Sequence, residues 1–490
     1  MTATDILTTL PVTIVVAWAC LVLITSAFVS RQDQRWIALL AAAGLIAALI
    51  VALVPALNGS SGQPVGWFKT AFLGMAVVDG FALFMNVLVL ICGLAGIAIA
   101  YDYLKRMGLE RGEYYALLLF SISGMMLMSM AADLIVVFLS LELLSIPLYI
   151  LSAFARPRPE SEEAGLKYFL LGAYSSGFVV YGIALIFGAT ATTSLEGIVA
   201  ALAAGTVNLP LLTIGAGLML IGLAFKVGAV PFHMWTPDVY EGAPSTIVAF
   251  MAVGAKAGGF AAMLRIFITV LPVLAFDLTP VFWGIAALTM ILGNIVAIAQ
   301  TNIKRMLAYS SIAHAGYILM ALVPFGDGEV ATAGVAAALF YLLAYGLTNF
   351  AAWAVVIAME KAEGQGLLIQ DYAGLGKKYP MLAAAMTVAM LSFTGIPPTL
   401  GFVGKFFLFQ TALQGGYIGL ALIGVLTSLV SAYYYLRVVV VMYMQEGDPQ
   451  ARSETWLNLT VGTTAVGTVL LTAFAAPLFQ WASQAVMRLF

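Results

Sequence analysis

The sequence predicts an all-α polytopic membrane protein with about fourteen transmembrane helices, and three observations support this fold class. Of the 490 residues, 63% are hydrophobic and only 9% are charged, whereas soluble domains contain about 25% charged residues. Apolar runs of about 20 residues, the length that crosses a bilayer core, recur along the whole chain. Positive charges alternate between the predicted loops. Lipid is therefore the expected solvent. Length alone would suggest about three soluble domains, but the composition excludes them.

The predicted spans divide the chain into four segments. Residues 1–110 hold three spans, residues 111–270 five, residues 271–442 five and residues 443–490 one. The first apolar run has no basic start and no small-residue cleavage site, so a retained helix is expected there. The spans lie near 11–29, 36–56, 79–100, 114–131, 133–154, 164–188, 210–235, 244–268, 279–299, 304–323, 331–359, 380–414, 417–441 and 456–480.

Loop charges predict the orientation of the chain. The loops that follow even-numbered spans hold few cations, namely Lys69, Arg265 and Arg488. Because basic loops stay in the cytoplasm, both termini are expected on the periplasmic side of a bacterial inner membrane. Loops after odd-numbered spans, with their flanks, hold Arg31, Arg35, Lys105, Arg106, Arg111, Arg156, Arg158, Lys304, Arg305, Lys361, Lys377, Lys378, Arg437 and Arg452.

Four charged residues lie near the middle of predicted spans: Glu142, Lys226, Lys256 and Lys405. A charge at the bilayer centre costs about 2.5–3.5 kcal/mol, so these groups must face the bundle interior, water or each other. One carboxylate cannot neutralise three lysines. Burial lowers the pKa of a lysine and a nearby carboxylate raises it, so a lysine under both influences can exchange protons near neutral pH. The pattern favours a proton relay; the alternative is that these charges pair and only join helices.

Prolines interrupt two of the spans that carry these lysines. In LAFKVGAVPFHMW, Pro231 follows Lys226 by five residues; in SFTGIPPTLGFVGKFF, Pro397 and Pro398 precede Lys405 by eight and seven. Proline removes a helical hydrogen bond, and a broken helix inside a membrane is tolerated only where protein or water satisfies its backbone. Paired broken helices indicate an ion site in a transporter. The alternative is an ordinary proline kink.

Spans four to eight and nine to thirteen are two groups of five, which suggests an internal repeat. An odd number of spans per unit requires the second unit to be inverted relative to the first. Spans seven and twelve, the two broken helices, then correspond to each other. The sequence therefore predicts two inverted five-helix repeats.

The chain contains only two histidines. His314, in SSIAHAGY, is mid-span and is either a relay between Lys256 and Lys405 or a hydrogen-bonded structural residue. For His233, just past the first break, a structural or proton-intake role is expected.

Lys167 lies near the start of span six. It either extends towards the membrane surface or is an intermediate partner of Glu142. Gly254 and Gly258 flank Lys256 in GAKAG, and small residues at this spacing allow a neighbouring helix to approach closely.

Signs of redox or nucleotide chemistry are absent from the sequence. There is no phosphate-binding loop, no dinucleotide-binding motif after a strand, no metal-ligand cluster and no basic stripe for nucleic acid. Cys20 and Cys92 lie in apolar runs without CxxC spacing, and both are expected to be small core residues. The chain is therefore expected to bind no cofactor or metal of its own, and its energy must come from partners or an ion gradient.

Five long motifs occur between about residues 110 and 440: LSLELLSIPLYIL, EEAGLKYFLLGAYSSGFVVYG, FKVGAVPFHMWTPDVYEGAPSTIVAFMAVGAKAGGFAAMLR, NIKRMLAYSSIAHAGYIL and FTGIPPTLGFVGKFFLF. Together they resemble the antiporter-like subunits of respiratory complex I, the NADH–quinone oxidoreductase. PFHMWTPDVYEGAP followed by FMAVGAKAGGF is similar to the N-type members of that family. The first three spans carry little of the resemblance.

The resemblance implies two inverted repeats around a central polar axis. By motif match, Glu142 is similar to the glutamate of the family's fifth helix and Lys226 to its broken-helix lysine. Lys256 resembles the connecting lysine and Lys405 the terminal one, and Lys167 also matches a family lysine.

The resemblance also implies a function: proton translocation driven by NADH-to-quinone electron transfer elsewhere in the complex. NAD, FMN, Fe–S clusters and quinone are then expected in partner subunits. The expected partners are other membrane subunits, including further antiporter-like subunits, and lipids. On this hypothesis a proton enters near Pro231, passes Lys226, Lys256 and His314, and leaves from Lys405. Three hydrated side chains are candidates to assist it: Ser310, Tyr341 and Tyr345.

Three other functions remain open. A subunit of a multisubunit cation/proton antiporter would share the lysines and broken helices. A scaffold subunit would have no proton path. A quinone-reducing enzyme in its own right is disfavoured, because cofactor ligands are missing from the sequence.

Overall fold

The computed structural model describes residues 2–30, 34–57, 69–361, 364–485 and 487. Arg31 and Arg488, two of the charges used to orient the chain, lie outside these residues. The described chain is mostly helical, in agreement with the predicted fold class. Its one described sheet is a hairpin of two short antiparallel strands, β1 (Lys69–Ala71) and β2 (Ala76–Val78).

The helices are numbered in chain order. The first half of the chain forms α1 (Ala3–Thr8), α2 (Leu10–Phe28), α3 (Arg35–Leu57), α4 (Gly80–Arg106), α5 (Glu113–Met130), α6 (Leu134–Ser152), α7 (Pro159–Thr190), α8 (Leu195–Ala203), α9 (Leu209–Val227), α10 (Trp235–Gly242), α11 (Ser245–Met251) and α12 (Gly254–Met263). The second half forms α13 (Ala275–Ile298), α14 (Ile303–Met320), α15 (Gly328–Met359), α16 (Leu375–Lys378), α17 (Pro380–Thr394), α18 (Leu400–Gln414), α19 (Ile418–Met444), α20 (Thr455–Leu470) and α21 (Ala475–Gln484). A π-helix covers Leu264–Val270, and 3₁₀ turns cover Pro272–Leu274, Ile369–Tyr372 and Leu471–Phe474.

Within the described residues, twelve helical segments are long and apolar enough to cross a membrane. Two predicted spans are not among them. The span predicted at 304–323 forms α14, which has 18 residues but is made more polar by Lys304, Arg305 and His314. The span predicted at 380–414 is divided into α17 and α18, of 15 residues each. The chain is thus a multi-span membrane protein, and the number fourteen stays a prediction.

Loops that follow odd-numbered predicted spans meet at one end of the bundle. Ion pairs join Arg106 to Glu454 (2.7 Å) and Lys378 to Asp448 (2.6 Å) there. We call this the basic end, defined by residues 106, 238, 305, 378 and 454. The opposite end, the hairpin end, contains residues 69–79, 131–133 and 194, which are linked by backbone bridges. Loops predicted on opposite sides of the membrane therefore lie at opposite ends of the bundle.

The centre of the bundle is built around the span predicted at 244–268. Every residue from Ser245 to Phe267 is buried, whereas Leu10–Phe28 has five buried residues among 19. This central span is not one regular helix: Ala252 and Val253 form a turn between α11 and α12, and the π-helix follows α12. Neither irregularity was predicted, because neither is marked by proline.

The two cysteines occupy different environments. Cys92 is buried, in agreement with its predicted core position, but Cys20 is exposed on α2, so the prediction for Cys20 was wrong. An apolar run does not distinguish a core position from a lipid-facing one, because both environments favour apolar residues.

Candidate functional site

The first broken helix ends immediately after a buried lysine. α9 stops at Val227, and Gly228 follows with φ 74°, a left-handed conformation that suits glycine. Pro231 lies in the irregular segment before α10. The indole Nε1 of Trp235 donates to the carbonyl oxygen of Phe225 at 2.9 Å, so the interrupted backbone finds a partner inside the protein.

Lys226, in the last turn of α9, is only 2% exposed and has neutral oxygen partners. Its Nζ donates to Ser145 Oγ at 2.8 Å and to the Tyr168 hydroxyl at 3.2 Å. Glu142 lies one turn from Ser145 on α6, so the carboxylate belongs to the surroundings of Lys226. No ion pair joins them in the described chain, and Glu142 Oε1 is buried without a hydrogen-bond partner. The expected Glu142–Lys226 pair is thus a pair of neighbours, not a contact.

Lys256 links the central span to α14. It is 2% exposed, and its Nζ donates to the carbonyl oxygen of Ser311. The hydroxyl of Tyr345 donates to Ser311 Oγ at 2.9 Å. A Cβ at Gly254 would lie 3.0 Å from Met125 Sδ, and one at Gly258 would lie 3.2 Å from Leu144. The two glycines therefore permit the close packing inferred from GAKAG.

His314 lies one turn beyond Ser311 on α14 and is 2% exposed. Its Nδ1 is 2.5 Å from the Tyr341 hydroxyl oxygen, and its Nε2 is 3.1 Å from the Tyr435 hydroxyl oxygen. The Tyr435 hydroxyl also lies 2.5 Å from Ser310 Oγ. Three of these groups, Ser310, Tyr341 and Tyr345, were candidates from the sequence; Tyr435 was missed, because nothing local distinguishes it from other aromatic residues of α19.

In the second broken helix the lysine follows the break, whereas in the first it precedes the break. α17 ends at Thr394, Gly395 follows with φ 87°, and α18 begins at Leu400. Lys405 belongs to the second half of this broken helix and folds back onto the first. Its Nζ donates to the carbonyl oxygens of Phe393 (2.8 Å) and Thr394 (3.0 Å), which the break leaves without helical partners.

Lys405 has two further neighbours. Its Nζ donates to Ser428 Oγ at 2.6 Å and lies 4.5 Å from the ring centroid of Tyr317. Tyr317 also contacts the His314 ring, with centroids 5.8 Å apart. An aromatic ring thus separates the last two basic groups, and its face can stabilise the ammonium as a cation–π partner.

Together these residues form what we call the polar row: Glu142, Lys226, Lys256, His314 and Lys405. Among the described residues, no hydrogen bond or ion pair joins two members directly; hydroxyls, carbonyls and one ring lie between them. A hydroxyl both donates and accepts, so these partners remain bonded whether the neighbouring nitrogen is charged or neutral. Such an arrangement can hold protons and can pass them on if water completes the gaps.

Lys167 lies outside the row, at the basic end. Its Nζ is 2.7 Å from both Glu163 and Asp238, and Asp238 is 2.9 Å from Arg305. The structure therefore gives Lys167 two carboxylate partners other than Glu142. Partial burial opposes ionisation of Asp238, but its bonds to Lys167 and Arg305 hold the pKa of its carboxyl below the ordinary value.

A cavity of about 480 Å³ opens at the basic end beside Lys167 and Asp238. Its lining includes Lys304 and Glu360, which are 2% and 3% exposed. Glu360 Oε2 is buried without a hydrogen-bond partner, and so is His233 Nδ1 in the first break. Unpaired buried polar atoms usually bind water, so both places are suited to hydration. Neither Lys304 nor Glu360 was singled out from the sequence.

Sequence reasoning also missed a buried ion pair at the hairpin end. Arg265 and Asp79 form a two-pronged contact with Nη–Oδ distances of 2.9 and 3.0 Å, at 1% and 0% side-chain exposure. Arg265 had been counted among the cations of the loops that follow even-numbered spans, and Asp79 had not been singled out. The sequence offered one signal, which is that these opposite charges lie near the same side of the membrane. Because the two residues are 186 positions apart, no local pattern indicates that they are in contact.

A multi-span helical protein with two broken helices and buried basic groups belongs to the transporter-like class of membrane proteins. The family is shown by a direct comparison. The family model described as "NADH:quinone oxidoreductase/Mrp antiporter, TM" matches residues 131–431, so this chain belongs to that family.

Individual relatives agree with this assignment. The NADH-quinone oxidoreductase subunit N of Chloroflexus aggregans is 45% identical over 96% of this chain and 94% of its own length. A chain of respiratory complex I from Thermus thermophilus has a TM-score of 0.79 and 32% identity, covering 96% of this chain and 98% of that one. The resemblance to N-type subunits is confirmed. A chain of the Mrp complex from Dietzia sp. has a TM-score of 0.84 at 22% identity, covering 99% and 97% of the two chains, and so shares the fold.

Proposed function

We propose that this chain is a proton-translocating membrane subunit of an NADH–quinone oxidoreductase. The observation that carries the proposal is the polar row, in which buried basic groups on α9, α12, α14 and α18 are bonded to neutral oxygens instead of carboxylates. Relatives that are 40–47% identical and named as subunit N of that enzyme support the choice of complex. The solved structures that match are parts of multisubunit complexes, which supports a partner-dependent role.

The proposed path begins at the basic end. A proton enters through water near the first break, where Pro231 is exposed and His233 has an unpaired nitrogen. Lys226 takes the proton, and the charge of Glu142 sets how firmly Lys226 holds it, because a nearby anion favours the ammonium form. When redox events in partner subunits change that charge, the proton moves to Lys256. Lys167, exposed at the basic end, would act at the intake.

The second half of the path uses His314 and Lys405. Lys256, on α12, donates to the carbonyl oxygen of Ser311 on α14, one turn before His314. The hydroxyls of Tyr341 and Tyr435 contact the two ring nitrogens of His314. A histidine with two hydroxyl partners can accept a proton on one nitrogen and release one from the other. Lys405 is the last holder before release at the hairpin end.

The remaining features of the proposal concern architecture and partners. Residues 1–110 form an N-terminal unit, 111–270 and 271–442 form two inverted repeats with breaks at Pro231 and at Pro397–Pro398, and 443–490 form a last unit. The chain lies in a bacterial inner membrane with both termini on the periplasmic side. NAD, FMN, Fe–S clusters and quinone belong to partner subunits, so this chain contributes to the enzyme as its translocating part.

The decisive experiment replaces Lys226 by alanine and measures proton uptake by inverted membrane vesicles during NADH oxidation, with quinone reduction measured in parallel. Loss of proton uptake in a fully assembled complex, with or without loss of coupled turnover, is expected. Lys377→Ala is the matched control, because Lys377 is an exposed lysine near the basic end. Unchanged protons per electron in Lys226→Ala would assign the row a structural role.

The second candidate function is a subunit of a cation/proton antiporter, favoured by the shared fold with the Mrp complex. It predicts sodium-dependent proton exchange in vesicles without NADH or quinone. Co-purification of the chain with flavin and Fe–S subunits would decide for the oxidoreductase.

A further inference from the structure

A long apolar groove lies on the outer surface between α17 and α20. It encloses about 720 Å³. Its floor is shaped by small residues, Ala384 and Ala385 on α17 and Gly462 and Ala465 on α20. Its rim is apolar and open, since Val466 is 55% exposed and Leu470 is 61% exposed. In a membrane such a surface is covered by lipid or by another chain.

One end of the groove is polar and basic. Lys378 precedes α17, Arg452 precedes α20, and both line the groove at the basic end of the bundle. Asn458 and Ser453 lie beside them, and Asn458 Nδ2 donates to Ser453 Oγ at 2.8 Å. Lys378 Nζ also pairs with Asp448 at 2.6 Å, but Asp448 is 79% exposed, and an ammonium has three N–H donors. Donors therefore remain for an anion.

The length of the groove corresponds to about one leaflet of the bilayer. Asn458 and Leu470 are both on α20 and line the groove, so its length is about 18 Å at about 1.5 Å per residue. That length exceeds half of the about 30 Å hydrocarbon thickness, which is one leaflet.

We propose that this groove binds an anionic phospholipid, with its phosphate at Lys378 and Arg452 and an acyl chain along α17 and α20. The charge of the polar end favours an anionic headgroup, because basic residues at the cytoplasmic surface attract anionic lipids. The apolar part matches one leaflet, so the lipid belongs to the leaflet at the basic end. The proposal depends only on the membrane-spanning fold and is independent of the proton path.

The test uses the assembled complex reconstituted in phosphatidylcholine vesicles that contain a small share of phosphatidylglycerol with a photoactivatable acyl chain. After illumination, cross-linked peptides are mapped by mass spectrometry. We expect labelling of α17 and α20, reduced at least fivefold by Lys378→Ala combined with Arg452→Ala, since each basic residue contributes about fivefold to anionic lipid binding. Lys377→Ala is the matched charge control, because Lys377 is exposed but does not line the groove.

A second variant fills the groove without changing its charge. A Cβ added at Gly462 meets no atom within 4 Å, so Gly462→Trp places its ring in the groove and should also lower labelling at least fivefold. Gly177→Trp on α7 is the control, because that glycine is equally open but lies elsewhere. Equal labelling of all variants would overturn the proposal. So would equally strong labelling by a photoactivatable phosphatidylcholine, or no labelling because a neighbouring subunit covers the groove.

Discussion

The buried ion pair at the hairpin end and the polar row are two solutions to the same problem, a charge inside a membrane protein. Arg265 meets the carboxylate of Asp79 with two hydrogen bonds and gives two more, at 2.8 and 3.1 Å, to the carbonyl oxygen of Ser129. Lys226 meets only the hydroxyls of Ser145 and Tyr168, while its nearest carboxylate leaves an oxygen unpaired.

The comparison distinguishes a charge that joins helices, at Arg265, from a charge that can be gained and lost with a proton, at Lys226. A guanidinium does not lose its proton in proteins, and its fork matches a carboxylate. Arg265 and Asp79 therefore join α4, α5 and the π-helix permanently. A lysine ammonium can become neutral, and hydroxyl partners accommodate both forms. Lys405 lies between the two cases: its partners at the broken end of α17 are carbonyl oxygens, which only accept, so Lys405 must act as the donor in both bonds.

The largest stability effect is expected at the ion pair. Arg265→Met leaves Asp79 buried without its counter-charge and should destabilise the protein by about 3–5 kcal/mol. The midpoint of thermal unfolding of the purified complex measures this. Adding Asp79→Asn should recover part of the loss, because asparagine removes the uncompensated buried charge. A double variant no more stable than Arg265→Met would show that the unpaired charge of Asp79 does not cause the loss of stability.

A smaller effect is expected from Lys405→Met. Thr394 keeps the hydrogen bond that Ser428 Oγ gives to its carbonyl oxygen, at 2.9 Å, but the carbonyl of Phe393 loses its partner. One unpaired buried carbonyl costs about 1–3 kcal/mol. The same unfolding assay should show this loss together with loss of proton uptake. Unchanged stability would mean that water replaces Lys405 at the break.

Lys226→Met should separate stability from function. Ser145 Oγ keeps its 2.5 Å hydrogen bond to the Leu141 carbonyl. The Tyr168 hydroxyl loses the hydrogen bond from Lys226, but removing a cation without a bonded counter-charge offsets this loss. The expected change in stability is about 1 kcal/mol or less, while proton uptake is lost. A loss of stability as large as that of Arg265→Met would place Lys226 with the structural charges.

The smallest effect concerns the exposed network at the basic end, where Lys167, Asp238 and Arg305 are 31–42% exposed. The folded-state pKa of Asp238 is lowered, so its contribution is fully present above the ordinary value of about 3.9 and is lost as pH falls through the lowered value. Asp238→Asn should reduce stability by about 0–1 kcal/mol at pH 7. Unfolding midpoints of wild type and variant should converge in acid; a difference that persists there would exclude the ion pairs as its cause.

Local patterns were sufficient to predict the membrane class, the approximate spans and the helix breaks at Pro231 and Pro397–Pro398. Proline interrupts a helix within about one turn, and hydropathy defines a span over about one helix length, so both signals are local. They were insufficient at positions without a local marker. The turn at Ala252 and Val253, the π-helix at Leu264–Val270 and the exposure of Cys20 all depend on neighbouring helices.

The apolar runs place this protein in a membrane and require its lysines to be buried in the bundle, and the motifs identify the family to which it belongs. The partner of each charge depends on tertiary packing: hydroxyls for Lys226, broken-helix carbonyls for Lys405, and a carboxylate for Arg265. The physical reason is separation along the chain. Lys226 and Ser145 are 81 positions apart and Arg265 and Asp79 are 186 apart, so packing of helices, not local preference, brings them together.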